Sequence, residues 1–402
     1  MNNLSPLVNR FNSIILSLFF CFLSVPTLHA DEANADLSAI LEHIQAFYVD
    51  KIDDRKLNQT AIDSIIKQLD PHSAYLDPEA LEDLFNVANG QYTGLGIEVE
   101  QRDDHIMIVA ALPNSPASQA GIKKGDILLQ INEQTVINKP IKQVASLISK
   151  AKSPTIKLAI ARNGHTEALT FNVQRDKISI ESVTGSLSEL GYATIRISNF
   201  NNHTLHDVAR LIARLINENG QDLSGLLIDL RDNPGGVLSS AVAISDLFLQ
   251  QGTIVTTKGR FYDANHAYYA KQGDVLNGAP IVVLINKGSA SAAEILAGAL
   301  KDNHRATVVG TRSYGKGSVQ SLIPLGDGQT ALKLTTAKYY TPSGKSIDGI
   351  GIAPDIAIEQ AKIPTEDEQI LRKMSEGISN QPLLTAFRDV QLEQAQKILR
   401  KY

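Results

Sequence analysis

The chain has 402 residues, a net charge of −5, no tryptophan and 5% aromatic residues. That length supports two or three domains with cores of their own. Basic residues are spread along the chain rather than gathered on one face, and aromatic platforms are scarce, which argues against a nucleic-acid partner.

The first 30 residues read as a secretory signal peptide. They carry one charge (Arg10), an apolar run from Ile14 to Val25, and Ala30 before an acidic start, so cleavage is expected after Ala30. Retention as a membrane anchor is the alternative, and the run is short for a span. Cys21 is the sole cysteine and would leave with the leader. The mature chain is then expected to hold no disulfide, no thiol nucleophile and no thiolate metal site. Losing Arg10 takes its net charge to −6.

Residues 31–87 are predicted to form an N-terminal helical segment. In "LSAILEHIQAFYVDKI", Leu37, Ile40, Leu41, Ile44 and Phe47 share one helix face. "DPHSAYLDPEALEDLF" interrupts that pattern and restarts it, with Asp77-Pro78 as cap and first turn. Over 88–175 the texture changes to short β-like runs ("GLGIEVEQ", "HIMIVAAL", "DILLQI", "TIKLAIAR", "ALTFNVQR") around one helix, "IKQVASLISKA". Residues 176–362 alternate strands and longer helices, the mark of parallel strands with helical crossovers, and close with two more β-like runs, "SVQSLIPL" and "ALKLTTAKYYT". The tail, 363–402, is helical and charged.

In such a core, reactive groups gather where strands hand over to helices. Two turns of that kind occur, "RDNPGG" and "NKGSAS". A serine at a helix start has the next residue's N–H free to stabilise an oxyanion. Ser289 and Ser291 both qualify, and each could equally be a plain N-cap. The Gly235-Gly236 pair would let backbone approach a substrate closely. A nucleophilic serine needs a base. The nine histidines are scattered; His203 and His206 read as surface residues rather than metal ligands. The other choice is a lysine whose pKa burial lowers, and Lys316 in "RSYGKGSVQ" fits. Three competing motifs fail in context. "GTRSYGKG" has Gly317 where a phosphate loop needs a hydroxyl, and a strand pattern follows it. The Ser-x-x-Lys spacings at Ser64/Lys67 and Ser313/Lys316 lack their partner motifs. "GLGIEV" is too short for a dinucleotide fingerprint.

Taken together, residues 35–360 resemble the carboxy-terminal processing peptidases, exported serine proteases with a Ser–Lys pair. "GSASAAEILAGALKDN" resembles the nucleophile segment of that family and "YGKGSVQ" its base segment, 25 residues apart from Ser291 to Lys316. The resemblance implies Ser291 as nucleophile, Lys316 as general base and Gln320 as the residue that orients the amine. It also implies Ala292 as one oxyanion donor and a glycine of "DLRDNPGG" as the other, with Gly235 chosen over Gly236. "YTGLGIEVE" and "SPASQAGIKKGDILLQIN" resemble a PDZ domain, in which Gly94, Leu95 and Gly96 would bind a substrate's terminal carboxylate. The helix face of Val144, Leu147 and Ile148 would hold the last apolar side chain. The implied fold is α/β and multi-domain: a β-rich PDZ domain before an α/β serine protease core, with helical terminal segments. No cofactor or metal is implied. The expected partners are proteins with apolar C-termini, an adaptor or activator left unnamed by the sequence, and further copies of the chain joined through the helical ends. The expected location is periplasmic, soluble or loosely membrane-associated. The competing reading is a PDZ scaffold with no catalysis.

Overall fold

The computed structural model describes residues 32–102, 104–151, 153–326, 328–359 and 389–402. The expected signal peptide and residues 363–388 of the expected tail lie outside them. The described residues divide into two compact units, one ending at Gln68 and the other beginning at Leu69. In the first, α1 (Glu32–Phe47) precedes α2 (Asp54–Lys67). Asp53 starts α2 by accepting the N–H of Arg55 at 2.9 Å. Leu37, Ile40 and Phe47, on the predicted apolar face of α1, are exposed.

The second unit opens with β1 (Ala74–Leu76) and α3 (Pro78–Ala88). The predicted cap is present: Asp77 accepts the Ala80 N–H at 2.8 Å, with Pro78 in the first turn. Leu76 and Leu81 pack with Ala331, far along the chain. Residues 69–87 therefore belong to the larger unit, although their helical pattern had grouped them with the N-terminal segment.

After β2 (Gln91–Gly94) comes an antiparallel β domain: β3 (Ile97–Arg102), β4 (His105–Ala111), α4 (Pro116–Gln119), β5 (Ile127–Ile131), β6 (Gln134–Thr135), α5 (Ile141–Ser149), β7 (Thr155–Ala161) and β8 (Leu169–Gln174). The sheet order is β3-β4-β5-β7-β8, with β6 paired to β5. Alternation along β7 turns Ile156, Leu158 and Ile160 into a core shared with Ile108, Leu128 and Val144 of α5. β9 (Asp176–Ser179) pairs back onto β2.

The remainder is the α/β core. Its elements are β10 (Val183–Leu187), β11 (Tyr192–Ile197), α6 (Thr204–Asn219), β12 (Gly225–Asp229), α7 (Leu238–Asp246), β13 (Thr253–Gly259), β14 (His266–Tyr269), β15 (Ile281–Ile285), α8 (Ala292–Asp302), β16 (Ala306–Gly310), β17 (Ser318–Leu325), β18 (Thr330–Tyr340), β19 (Ile356–Ala357) and α9 (Val390–Leu399). One sheet runs β10-β11-β12-β15-β16-β19, parallel apart from β10. Residues of α6, α7 and α8 join the core on one face, while Leu399 and Ala395 of α9 cover Leu227, Val282, Leu284 and Val309 on the other. Burial on both faces explains why β12 and β15 read as unbroken apolar runs. A second sheet, β1-β18-β13-β14 with β17 on the far edge of β18, holds the two later β-like runs. A β-rich domain before an α/β core is the expected order.

Candidate active site

β12 and β15 are neighbours in the parallel sheet, so the turns that follow them emerge side by side at its carboxyl edge. Hydrogen bonds stitch the two turns together. Asp232 N–H donates to Asn286 Oδ1 at 2.9 Å, Asn286 Nδ2 returns to Asp232 Oδ1 at 2.8 Å, and Ala290 N–H donates to the Asn233 carbonyl at 2.9 Å. Ser289 is fully buried in this seam; its hydroxyl donates to the Leu230 carbonyl at 2.7 Å and accepts the Asn286 N–H at 3.0 Å. Its proton is committed to holding the turns.

Ser291 is placed differently. It is partly exposed, immediately precedes α8, and adopts a left-handed φ of 54°, a region that L side chains enter only when their surroundings enforce it. The N–H of Ala292, first in α8, has no acceptor among the described residues. Gly235 lies against this corner, at φ 99°, where an added Cβ would sit 2.7 Å from Ser291 Cβ and 2.9 Å from Ala292 N; only glycine fits. The N–H of Gly235 donates to Asn233 Oδ1 at 2.8 Å, whereas that of Gly236 has no acceptor among the described residues. Gly235, the glycine chosen from sequence, thus has its N–H engaged within its own turn, while the N–H of Gly236 is open.

Glu294 joins this corner to the lysine loop. Fully buried in the first turn of α8, its carboxylate accepts the N–H of Ser291 at 2.8 Å, of Lys316 at 2.9 Å and of Gly315 at 2.7 Å, and the Ser313 hydroxyl at 2.6 Å. Tyr339 of β18 makes a second link: its hydroxyl donates to the Lys316 carbonyl and also meets the Ser291 side chain. Burial first, and then the charge of Glu294, holds this phenol well above its ordinary pKa of 10.0, so it stays a donor. The backbone of Lys316 is thus gripped at both its N–H and its C=O by side chains that also touch Ser291. Sequence reasoning passed over both. The Ser-x-x-Glu spacing of 291–294, a helix-start signature, was the signal for Glu294; Tyr339 carried none.

The Lys316 amine is partly buried. Burial, then repulsion from Lys333, lowers its pKa from the ordinary 10.5. Neither a salt bridge nor a hydrogen bond engages its Nζ among the described residues, and no bond joins it to Ser291 Oγ. Gln320 lies on β17, where its Nε2 donates to Ser318 Oγ at 3.0 Å and Thr335 Oγ1 at 3.1 Å. The structure therefore collects Ser291, Ala292, the glycine pair and the Lys316 backbone, and sets Gln320 on the strand that continues from the lysine. Among the described residues no cluster of His, Cys, Asp or Glu is suited to a metal, and no helix is long and apolar enough to cross a membrane.

In the β domain, Gly94 ends β2 opposite Asp176. The carbonyls of Leu95 and Gly96 accept the N–H groups of Ala117 at 3.0 Å and Leu112 at 2.9 Å, while their own N–H groups have no acceptor among the described residues. At Gly96, φ is 72° and a Cβ would lie 2.3 Å from Ser115 Cβ, so the close turn requires glycine. On α5, Val144 is core, with Leu147 and Ile148 partly buried against it. Less of that apolar face is open to a ligand than the helical pattern suggested.

Residues 191–358 match the model of peptidase family S41, and residues 107–162 that of the PDZ domain. A carboxy-terminal-processing protease of Bartonella bacilliformis is 42% identical over 323 residues, covering 80% of this chain and 74% of its own. Carboxy-terminal processing protease CtpB of Bacillus subtilis is 35% identical over 336 residues, covering 82% of this chain and 68% of its own. Among solved structures, a photosystem II D1 C-terminal processing protease is 26% identical and aligns with 85% of this chain and 97% of its own, at a TM-score of 0.48.

Proposed function

Because the chain belongs to the carboxy-terminal processing serine proteases of peptidase family S41, with a PDZ domain ahead of the protease core, we propose that it is an exported endopeptidase. In this reading it captures protein substrates by an apolar C-terminus and cleaves them with Ser291, Lys316 and Gln320. One observation carries the site assignment. Ser289 has its proton committed inside the seam, while Ser291 is presented at a helix start beside the open N–H of Ala292, its turn tied through Glu294 to Lys316.

The chemistry follows from those positions. The Lys316 amine, its pKa lowered by burial and by Lys333, takes the proton of Ser291 Oγ as that oxygen attacks the scissile carbonyl carbon. The oxyanion is held by the Ala292 N–H and a glycine N–H of the 235–236 pair, with Gly236 the open donor. Lys316 then protonates the leaving amine, the C–N bond breaks, and an acyl ester remains on Ser291. Lys316 next deprotonates a water, which attacks the ester; as the bond to Ser291 Oγ breaks, Lys316 returns the proton to that oxygen, and the acyl-side chain leaves with a new carboxylate. Gln320 orients the amine throughout. The Leu95–Gly96 turn receives the terminal carboxylate. Proteolysis of an unfolded test protein decides the central step. Ser291→Ala should leave only background cleavage with an unchanged melting temperature, and Lys316→Arg should be as inactive as Lys316→Ala, since arginine stays charged. Robust turnover by Lys316→Arg would remove lysine as the base.

A further inference from the structure

The turn 231–236, between β12 and α7, is held against its own backbone preferences. Asp232 has a left-handed φ of 58°, and Gly235 and Gly236 follow at 99° and 139°. A residue with a side chain enters that region only where its neighbours enforce it. The exit of the turn is anchored on the loop after β11: the Phe200 N–H donates to the Gly235 carbonyl at 2.9 Å, and the Val237 N–H donates to the Phe200 carbonyl at 2.8 Å. The entrance is anchored by charge. Arg231 Nε and Nη2 donate to the two oxygens of Asp229 at 3.0 and 2.8 Å, and the Arg231 backbone N–H donates to Asp229 Oδ1 at 3.0 Å. Arg196 Nη2 donates to the Arg231 carbonyl at 3.3 Å. The other side of the guanidinium meets the last helix. Nη1 and Nη2 donate to Asp389 Oδ1 and Oδ2 at 2.8 and 2.7 Å, a bidentate pair. Asp389 is also the N-cap of α9, its Oδ1 accepting the Leu392 N–H at 3.0 Å. Beside it, Gln391 Nε2 donates to the Ile358 carbonyl at 2.7 Å. Hydrogen bonding from Arg231 holds the Asp389 pKa below the ordinary 3.8, so the carboxylate stays charged. Covering the sheet needs only the apolar contacts of Ala395 and Leu399, and an ion cluster is costly to desolvate. What the cluster adds is direction, because a guanidinium gripped on both sides has one orientation.

We propose that Asp389 is a positioning residue for the oxyanion turn: with Asp229 it clamps Arg231 from both sides and so fixes the point from which Asp232 to Gly236 depart. This rests on the reading of the 235–236 pair as an oxyanion donor. The last helix of the chain thus acts on the site without touching it. Without Asp389 the guanidinium keeps Asp229 but loses its outer partner, and any shift of Arg231 passes through the strained Asp232 to the glycine N–H. Moving such a donor by a fraction of an ångström costs rate rather than substrate binding.

The test uses the full chain, a quenched fluorescent peptide with a free C-terminal alanine, and an aldehyde built on the acyl side of that peptide. Ser291 Oγ adds to the aldehyde carbon, and the hemiacetal oxygen takes the oxyanion position. Asp389→Asn keeps the N-cap but sets an NH2 against Arg231 Nη2. Losing an oxyanion donor outright costs roughly 10²–10³ in kcat, so a displaced one should cost about tenfold, with KM within about twofold. The aldehyde Ki should rise by the factor by which kcat/KM falls. Arg231→Lys, whose single ammonium cannot span both carboxylates, should behave alike, and the double variant should be no slower than the slower single. A purely structural role would lower the melting temperature and leave kcat and Ki of the folded protein unchanged. That result, or losses that multiply in the double variant, overturns the clamp and leaves the oxyanion reading in place. Wild-type protein that binds the aldehyde no tighter than the matching alcohol, which forms no hemiacetal, overturns both. Should Asp389→Asn not fold, Asp389→Ser, which keeps a capping hydroxyl, carries the same comparison.

Discussion

At Lys316 the same burial that would make a base makes a weak point. A lysine whose folded pKa lies below 10.5 binds fewer protons folded than unfolded, so below that range it destabilises the fold, and the penalty fades as pH rises through it. Lys316→Met should therefore raise the melting temperature near pH 7, with the gain shrinking toward pH 10–11, while abolishing proteolysis. Melting curves across that range check the sign; a gain that grows with pH would refute it. Ser289 gives the complementary case. Its hydroxyl serves two backbone groups in the seam, so Ser289→Ala should cost about 1–3 kcal/mol of stability yet retain activity at temperatures where it stays folded. Inactive but fully folded Ser289→Ala protein, seen by activity assay beside circular dichroism, would count against Ser291 as nucleophile.

Elements with a strong period were legible in the sequence. The apolar runs of β12 and β15, the Asp77-Pro78 start of α3 and the helix of the β domain all occur where pattern and turn chemistry placed them. So did the order of a β-rich domain before an α/β core, and the two strand-to-helix turns that meet at Ser291. What escaped acts across long separations in the chain. α3 reads as part of a helical segment because its partner Ala331 lies some 250 residues away. Glu294 and Tyr339 carry no periodicity; their roles exist only once α8, the lysine loop and β18 are together. The hydrogen bond from the Gly235 N–H to the Asn233 side chain, which distinguishes the two glycines, is likewise invisible in composition. α8 gives the clearest prediction at this scale. In Glu294→Gln, one carboxylate oxygen becomes an NH2 facing two donors. At roughly 1–3 kcal/mol for each buried group left unpaired, the unfolding free energy should fall by about 3 kcal/mol. Urea melts measure it, and a change within about 0.5 kcal/mol would show the hub to be dispensable.

For the whole molecule, the PDZ domain and the protease core should answer to different chemistry on one substrate. Bonds to a charged acceptor are roughly twice as strong as neutral ones. Titrated onto full-length Ser291→Ala protein, a peptide ending in a free apolar residue should bind about tenfold tighter than its C-terminal amide, roughly 1.4 kcal/mol, and an aspartate at the last position should weaken it. Equal affinities by fluorescence anisotropy would mean that the Leu95–Gly96 turn does not read chain ends. The reach of Glu294 also bears on synthesis. The ribosome delivers Ser291 and Glu294 before Gly315 and Lys316, and Tyr339 later still. Until those residues arrive, the seat of Glu294 lacks the Ser313, Gly315 and Lys316 donors, and drying a carboxylate without its partners is strongly unfavourable. The corner that holds Ser291 in its left-handed conformation is therefore expected to close only with those donors in place. Ser291, the lysine loop and the strand behind them should thus acquire their folded geometry together.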